Sequence, residues 1–381
     1  MILSRKGEET AEEREMETKS VALVEKTRIL GSSPDSAAPA AGSLLERLSP
    51  KPQERYSFIR SIGFGGMKGV LLVHDADTDR EVAMAIMPDF RERPRADLER
   101  FIAEALLTAR LEHPNIVPVH DVGIDGSGSP FFTMKYLRGQ SLAKLIQRMR
   151  AGDPQMVEKY TVYRRLQIFL RVCNAVDFAH SRRYCHLDIK PANVNIGDFG
   201  EVVVLDWGLA APLDDRGRAV LAGDDRRAKG TPGYMSPEFL SPETAPQVGV
   251  ASDIYSLGGV LYALLALASP LAGCSQEEKL RRTAAGDVPK PSAAAPQGWN
   301  VPASLEAVCA KAMALNPEER YRSVTELRQE IIAFMSGYAP QAEHASPMRK
   351  AGLFLMRHRL AILSVLLLAA LSLLLWSFFT D

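Results

Sequence analysis

The sequence is poor in cysteine and has no surplus of charge of either sign. Its four cysteines, Cys173, Cys185, Cys274 and Cys309, stand far apart and form no CxxC pair. That argues against a zinc site and a disulfide framework, and fits reduced thiols in a cytosolic domain. Lys+Arg and Asp+Glu both number 46, so the formal net charge is zero. A nucleic-acid-binding surface would carry a basic excess, and no nucleic-acid partner is expected. The N-terminus lacks a long apolar stretch: Arg5, Lys6, Glu8 and Glu9 interrupt it at once, so it does not read as a secretory signal. There is no internal repeat of solenoid period. The bulk composition is ordinary, with 46% hydrophobic and 24% charged residues over 381 positions. It leaves room for one large domain or two small ones with a full core.

One long apolar run is present. Residues 360–379 read LAILSVLLLAALSLLLWSFF without a charge. Twenty helical residues span about 30 Å, one hydrocarbon core. A core helix of this length would carry a polar stripe, and none is visible. Trp376 and two phenylalanines stand at the far end; Arg349, Lys350, Arg357 and Arg359 flank the near end. The positive-inside rule then keeps the preceding chain cytoplasmic. With Thr380 and Asp381 after the run, the expected arrangement is a single-pass tail anchor.

The rest divides by composition. Residues 1–54 are expected to be mostly disordered: 8–30 are charge-rich, with a short helix in reach, and 31–43 (GSSPDSAAPAAGS) are small and flexible. Residues 55–335 form the domain, and 336–359 a juxtamembrane linker. From Tyr56 to about Asp89, YSFIRSIG, GVLLVHD and EVAMAIM read as three antiparallel strands. A helix follows over 96–111, then strands over 116–122 and 131–136. After Gly139 the periodicity turns helical. The class is α+β: a β-rich lobe, an α-rich lobe and one C-terminal transmembrane helix.

Several motifs follow one another. A glycine hairpin, Gly63-Phe64-Gly65-Gly66-Met67-Lys68-Gly69-Val70, lies between two strands. Further on come Tyr184-Cys185-His186-Leu187-Asp188-Ile189-Lys190-Pro191-Ala192-Asn193, then Asp206-Trp207-Gly208 after an apolar strand, then Gly230-Thr231-Pro232-Gly233-Tyr234-Met235-Ser236-Pro237-Glu238. In this order they resemble the bacterial members of the eukaryotic-like serine/threonine protein kinase family, over residues 56–335.

The resemblance implies a two-lobed fold, ATP with magnesium or manganese, and a protein substrate with a Ser or Thr acceptor. Glycines in the hairpin would let backbone N–H groups approach the phosphates. Asp188 would orient the acceptor hydroxyl and take its proton, Lys190 would neutralise the transferring group, and Asn193 and Asp206 would hold metal. Ala83 and Val70 would line the nucleotide, Met134 would be the gatekeeper, and Lys135, Tyr136 and Leu137 the adenine-binding connection. Glu238 would pair with Arg320, and Asp253 would brace the catalytic loop. The membrane would be a bacterial inner membrane, and a homodimer stays open as a partner.

Two positions depart from the family. The third strand should end in V-A-x-K, and here it reads Val82-Ala83-Met84-Ala85. The helix glutamate that such a lysine pairs with is present as Glu104. Either the chain is a pseudokinase, a nucleotide-binding or scaffolding module, or another lysine serves. Lys68 stands where the with-no-lysine kinases place theirs, and its flexible stem is long enough to enter the space Ala85 leaves. The second departure is Leu187, in place of the arginine that receives a phosphorylated loop residue. The span 209–230 contains no Ser, Thr or Tyr, so donor and acceptor of that switch are both missing. A small-molecule kinase is a third, weaker reading, against which GTPGYMSPE speaks.

Overall fold

The short apolar runs after Tyr56 become strands, and those after Gly139 become helices. The computed structural model describes residues 55–64, 68–221, 230–241 and 243–380; the N-terminal extension, 1–54, and Gly65, Gly66 and Met67 of the hairpin lie outside them. The chain divides into two units, one running to Gly139 and including Asn195–Gly208, the other made of Gln140–Val194 and the residues from Leu209 on.

In the first unit, β1 (Tyr56–Phe64), β2 (Gly69–Asp75), β3 (Arg80–Ile86), β4 (Val119–Ile124) and β5 (Pro130–Lys135) form an antiparallel sheet in the order β1-β2-β3-β5-β4. Alternation along the strands divides the side chains between two faces. Leu71, Val73, Val82, Met84 and Ile86 gather on one face with Tyr56 and Phe131. Ala85 and Phe132 turn to the other, where Phe101 and Ala105 of α1 (Arg95–Arg110) cover them. The buried residues of α1, Phe101, Ala105 and Thr108, are spaced by four and three, one helical face. Asp97 in its first turn and Arg110 in its last complement the helix dipole.

The strand predicted over 116–122 begins three residues late. Ile116 instead makes a parallel bridge to Val204, and the Val117 N–H donates to the Val204 carbonyl at 3.3 Å. Asn115 fixes the same short strand (Val202–Val204) with a side-chain bond to the Val202 carbonyl at 2.8 Å. Asp206 follows directly, so this small ladder positions it.

The second unit holds α2 (Leu142–Arg150), α3 (Val162–Ser181), α4 (Val250–Ala266), α5 (Gln276–Ala284), α6 (Ala303–Ala312) and α7 (Val324–Met335). Ser141, Thr161, Ser275 and Ser323 accept hydrogen bonds from the first free N–H groups of α2, α3, α5 and α7. α4 is buried from Ser252 to Ala266, as an all-round apolar helix must be. Gly258 permits the approach of α6, since a Cβ there would stand 2.9 Å from that of Ala312.

The predicted linker, 336–359, contains a 3-10 turn (Gln341–Glu343) and a helix, α8 (Pro347–Arg357), started by the Ser346 cap. The apolar run forms α9 (Arg359–Thr380). Among the described residues no single helix is long and apolar enough to cross a membrane. One bent pair, α8 with α9 as far as Leu373, passes by length and composition, its axes meeting at 71°.

Candidate functional site

The chemistry-bearing residues form one constellation in each unit. In the first, the Lys68 ammonium bonds the Glu104 carboxylate and reaches Asp206 Oδ1 at 2.8 Å. Lys68 stands just before β2, whose Val70 pairs with Ala85. Ala85 itself is fully buried beside Phe101 and Ala105. Burial works against the Lys68 charge, but Glu104 and then Asp206 outweigh it, and the ammonium is held above the ordinary lysine value. For Glu104 burial is the largest influence; Lys68 opposes it, Asp206 adds to it, and the carboxyl sits above its ordinary value. Two carboxylates facing one ammonium leave one negative charge over, so a cation beside Asp206 fits the charge of the cluster.

Backbone geometry serves the same contacts. Asp206 lies in the left-handed region at φ 62°, a conformation costing a non-glycine residue about 1–3 kcal/mol. The next residue but one, Gly208, lies so close to Glu104 that a Cβ would meet Oε2 at 2.9 Å. Trp207 between them is 1% exposed, an aromatic anchor for the turn.

In the second unit, Lys190 Nζ donates to Asp188 Oδ2 at 2.6 Å and to Thr231 Oγ1 at 2.7 Å, and Thr231 donates to Asp188 Oδ1 at 3.1 Å. Asn193, on a 3-10 turn begun by Pro191, turns its amide nitrogen to the Asp188 carbonyl at 3.0 Å and to Oδ2 at 3.1 Å. That leaves its amide oxygen, a hard donor, for a hard cation. Among the described residues no trio of His, Cys, Asp and Glu forms a metal cluster. Magnesium held by one or two protein oxygens plus substrate phosphates needs none.

A buried frame holds the loop. Asp253 of α4, fully buried, accepts the backbone N–H groups of His186 and Leu187, both at 2.8 Å. His180 Nε2 lies 2.8 Å from the same carboxylate. Burial would raise the Asp253 pKa, yet the His180 bond and the His186 backbone bond keep it below the ordinary value. Glu238 and Arg320 form a two-armed pair at 2.8 and 2.9 Å with side chains 2% and 0% exposed. Ser252 adds a hydrogen bond to the same carboxylate at 2.7 Å. Leu187, at φ 64°, sits in an apolar cluster with Cys185, Ala211, Leu213, Met235, Phe239 and Val248.

The remaining predicted positions are quickly located. Gly63 and Phe64 end β1, with Gly63 opposite Val70. Gly65, Gly66 and Met67 lie outside the described residues. Ala83 is buried and pairs with Met134. The Lys135 N–H is given to the Pro118 carbonyl at 3.0 Å, so an adenine donor from this stretch falls to Tyr136 or Leu137. Arg60 donates to the Tyr136 hydroxyl at 2.7 Å. His180 and the ring of His186, which accepts the Asp188 N–H at 3.3 Å, escaped sequence reasoning. A lone histidine at a helix end carries no spacing that announces such a task.

Comparison with known proteins places these motifs in context. The protein kinase domain family matches residues 56–331. A serine/threonine-protein kinase PknD of Chlamydia trachomatis is 35% identical over 325 residues, covering 78% of this chain and 33% of its own. The PknD proteins of Chlamydia pneumoniae and Protochlamydia amoebophila are 34% and 32% identical, over 74% and 76% of this chain and 31% and 30% of theirs. The chain thus spans about a third of the length of the curated relatives it matches.

Proposed function

Since this chain belongs to the protein kinase family, we propose that it is an ATP-dependent serine/threonine protein kinase whose phosphate-positioning amine is Lys68. One observation carries the reading: a single ammonium bonded to both Glu104 and Asp206, while the third-strand position holds a buried alanine. In this reading Lys68, kept in place by Glu104, grips the nucleotide phosphates. Asp188 orients the acceptor hydroxyl and takes its proton as the oxygen bonds to the γ-phosphorus and the bond from that phosphorus to the β,γ-bridging oxygen breaks, so that ADP leaves; Lys190 offsets charge on the group in transit. Magnesium or manganese, when bound, neutralises phosphate charge; the Asn193 amide oxygen and the Asp206 carboxylate would hold it. Gly63, Phe64, Gly65, Gly66, Met67, Val70 and Ala83 would line the nucleotide, with Met134 to Leu137 along the adenine. Thr231, bonded to both Lys190 and Asp188, favours a Ser or Thr side chain on a protein as the acceptor.

The same reading takes 55–335 as the kinase domain, 336–359 as the juxtamembrane segment and 360–379 as the membrane helix. The leucines of α9 support it, from Leu371 at 51% exposed to Leu360 at 73%, a surface that water disfavours. The basic residues before them favour the cytoplasmic side for the domain.

Phosphotransfer from labelled ATP by the full chain tests the assignment. Lys68→Met is expected to lose about 10²–10³ in rate, as for other fixed charge donors. Asp188→Asn is expected to lose about 10²–10⁴, the range of a general base. Unchanged transfer in Lys68→Met sinks the relocated amine. Nucleotide binding without any transfer by the wild type sinks the enzyme.

A further inference from the structure

The residues just before the apolar run are as amphipathic as the run is uniform. On α8, Met348, Leu355 and Met356 are 85%, 55% and 68% exposed, and Phe354 is 51% exposed. Met348 and Leu355 are seven residues apart, two turns along one face. The opposite face holds Leu353 and Arg357, both half-buried. There the Arg357 guanidinium lies 3.8 Å over the Tyr338 ring. Arg349 reaches Glu343 at 3.2 Å, and Glu343 in turn accepts the Ser304 hydroxyl of α6 at 2.6 Å. The polar face is therefore fastened to the helical unit, and the apolar face turns away from it.

We propose that α8 is a membrane-surface helix: its apolar face enters the headgroup–acyl boundary of an anionic bilayer, while Arg357 and Arg349 clamp the helical unit to its other side. The inference rests on the reading of α9 as the membrane helix. With α9 along the bilayer normal, the 71° bend leaves α8 within roughly 20° of the membrane plane, the lie of an interfacial helix. Charge selects the lipid. Arg359, at the junction with α9, is exposed without an acidic partner among the described residues, and the sequence has no Asp or Glu between Glu343 and Asp381. Such a cationic, apolar surface fits phosphate-bearing headgroups of net negative charge.

The test reconstitutes the full chain in vesicles of phosphatidylcholine, alone or mixed with phosphatidylglycerol. Leu355→Cys and a control, Gln341→Cys on the exposed turn, are treated with a membrane-impermeant maleimide and read by peptide mass, which separates them from the native cysteines. The thiol at 355 is expected to react about tenfold more slowly than that at 341 in the anionic vesicles. The protection should weaken in phosphatidylcholine alone, and in an Arg359→Gln background it should fall about fivefold, to about twofold. Equal reactivity at both positions, with the chain still resisting a carbonate wash, overturns the surface helix and leaves the anchor standing. A chain stripped by carbonate overturns both. Protection at 355 that ignores lipid composition and comes with cross-linking between copies assigns the face to a protein interface, against the proposal.

Discussion

A methyl group at position 208 would stand 2.9 Å from Glu104 Oε2, inside ordinary van der Waals contact. The carboxylate that meets Lys68 would have to give way. Gly208→Ala is therefore expected to raise the KM for ATP and lower kcat by about tenfold or more, with little change in Tm, because the misplacement falls on the positioning groups. Steady-state kinetics beside a thermal melt separate the two effects. Leu187 carries the opposite kind of constraint. It lies in an apolar cluster, and an arginine there would bury a charge with no acidic partner. Leu187→Arg should cost about 3–5 kcal/mol in urea unfolding, as an uncompensated buried charge does. The same absence predicts that activity does not need a phosphate between residues 209 and 230. Mass spectrometry of the active protein would contradict this by finding an activating one there.

At the scale of elements, α4 and the Glu238–Arg320 pair fasten the loop that carries Asp188 and the segment behind it. Burial favours the neutral Glu238 acid, yet the Arg320 bonds hold its pKa below the ordinary value. A lowered carboxylate pKa contributes stability above the unfolded value and loses it as pH falls through the folded one. The pair should thus stabilise fully at neutral pH and fail below about pH 4. Glu238→Gln is expected to cost about 3–5 kcal/mol at pH 7 by stranding Arg320. It should also flatten the acid limb of a stability-versus-pH curve, and an unchanged limb would refute the assignment. The strand at 119–124 shows where patterning stops. Ile116 and Val117 have strand-forming side chains, but Pro118 lacks an N–H, and its carbonyl accepts from Lys135. The two residues before it join Val204 instead, a partner more than eighty positions away that no local window contains.

For the whole molecule, the apolar run and its basic flank predict how the protein partitions. Removing residues 360–379 should move the protein from a carbonate-resistant membrane fraction to the soluble one while leaving phosphotransfer in place. Recovery of the shortened chain in the membrane fraction would show that this segment is not the anchor.

Composition and spacing were enough for β1, β2, β3 and β5 and for the helical character of the second unit; motif order gave the family, and resemblance to the family gave the pairing of Glu238 with Arg320 and of Asp253 with its loop. Those features rest on periodicities and motif order, which are local or one-dimensional. What only tertiary structure decided was which groups touch. The sequence offered Lys68 as a substitute for the lysine missing at 85, but whether its amine met Glu104 and Asp206 depended on β2 and on the Asn115–Val204 ladder bringing three distant segments together. Likewise the two faces of α8 became distinguishable only once Tyr338 and Glu343 were seen to take one of them. Distances between residues far apart in sequence follow from the packing of the elements between them, and packing leaves no spacing to read.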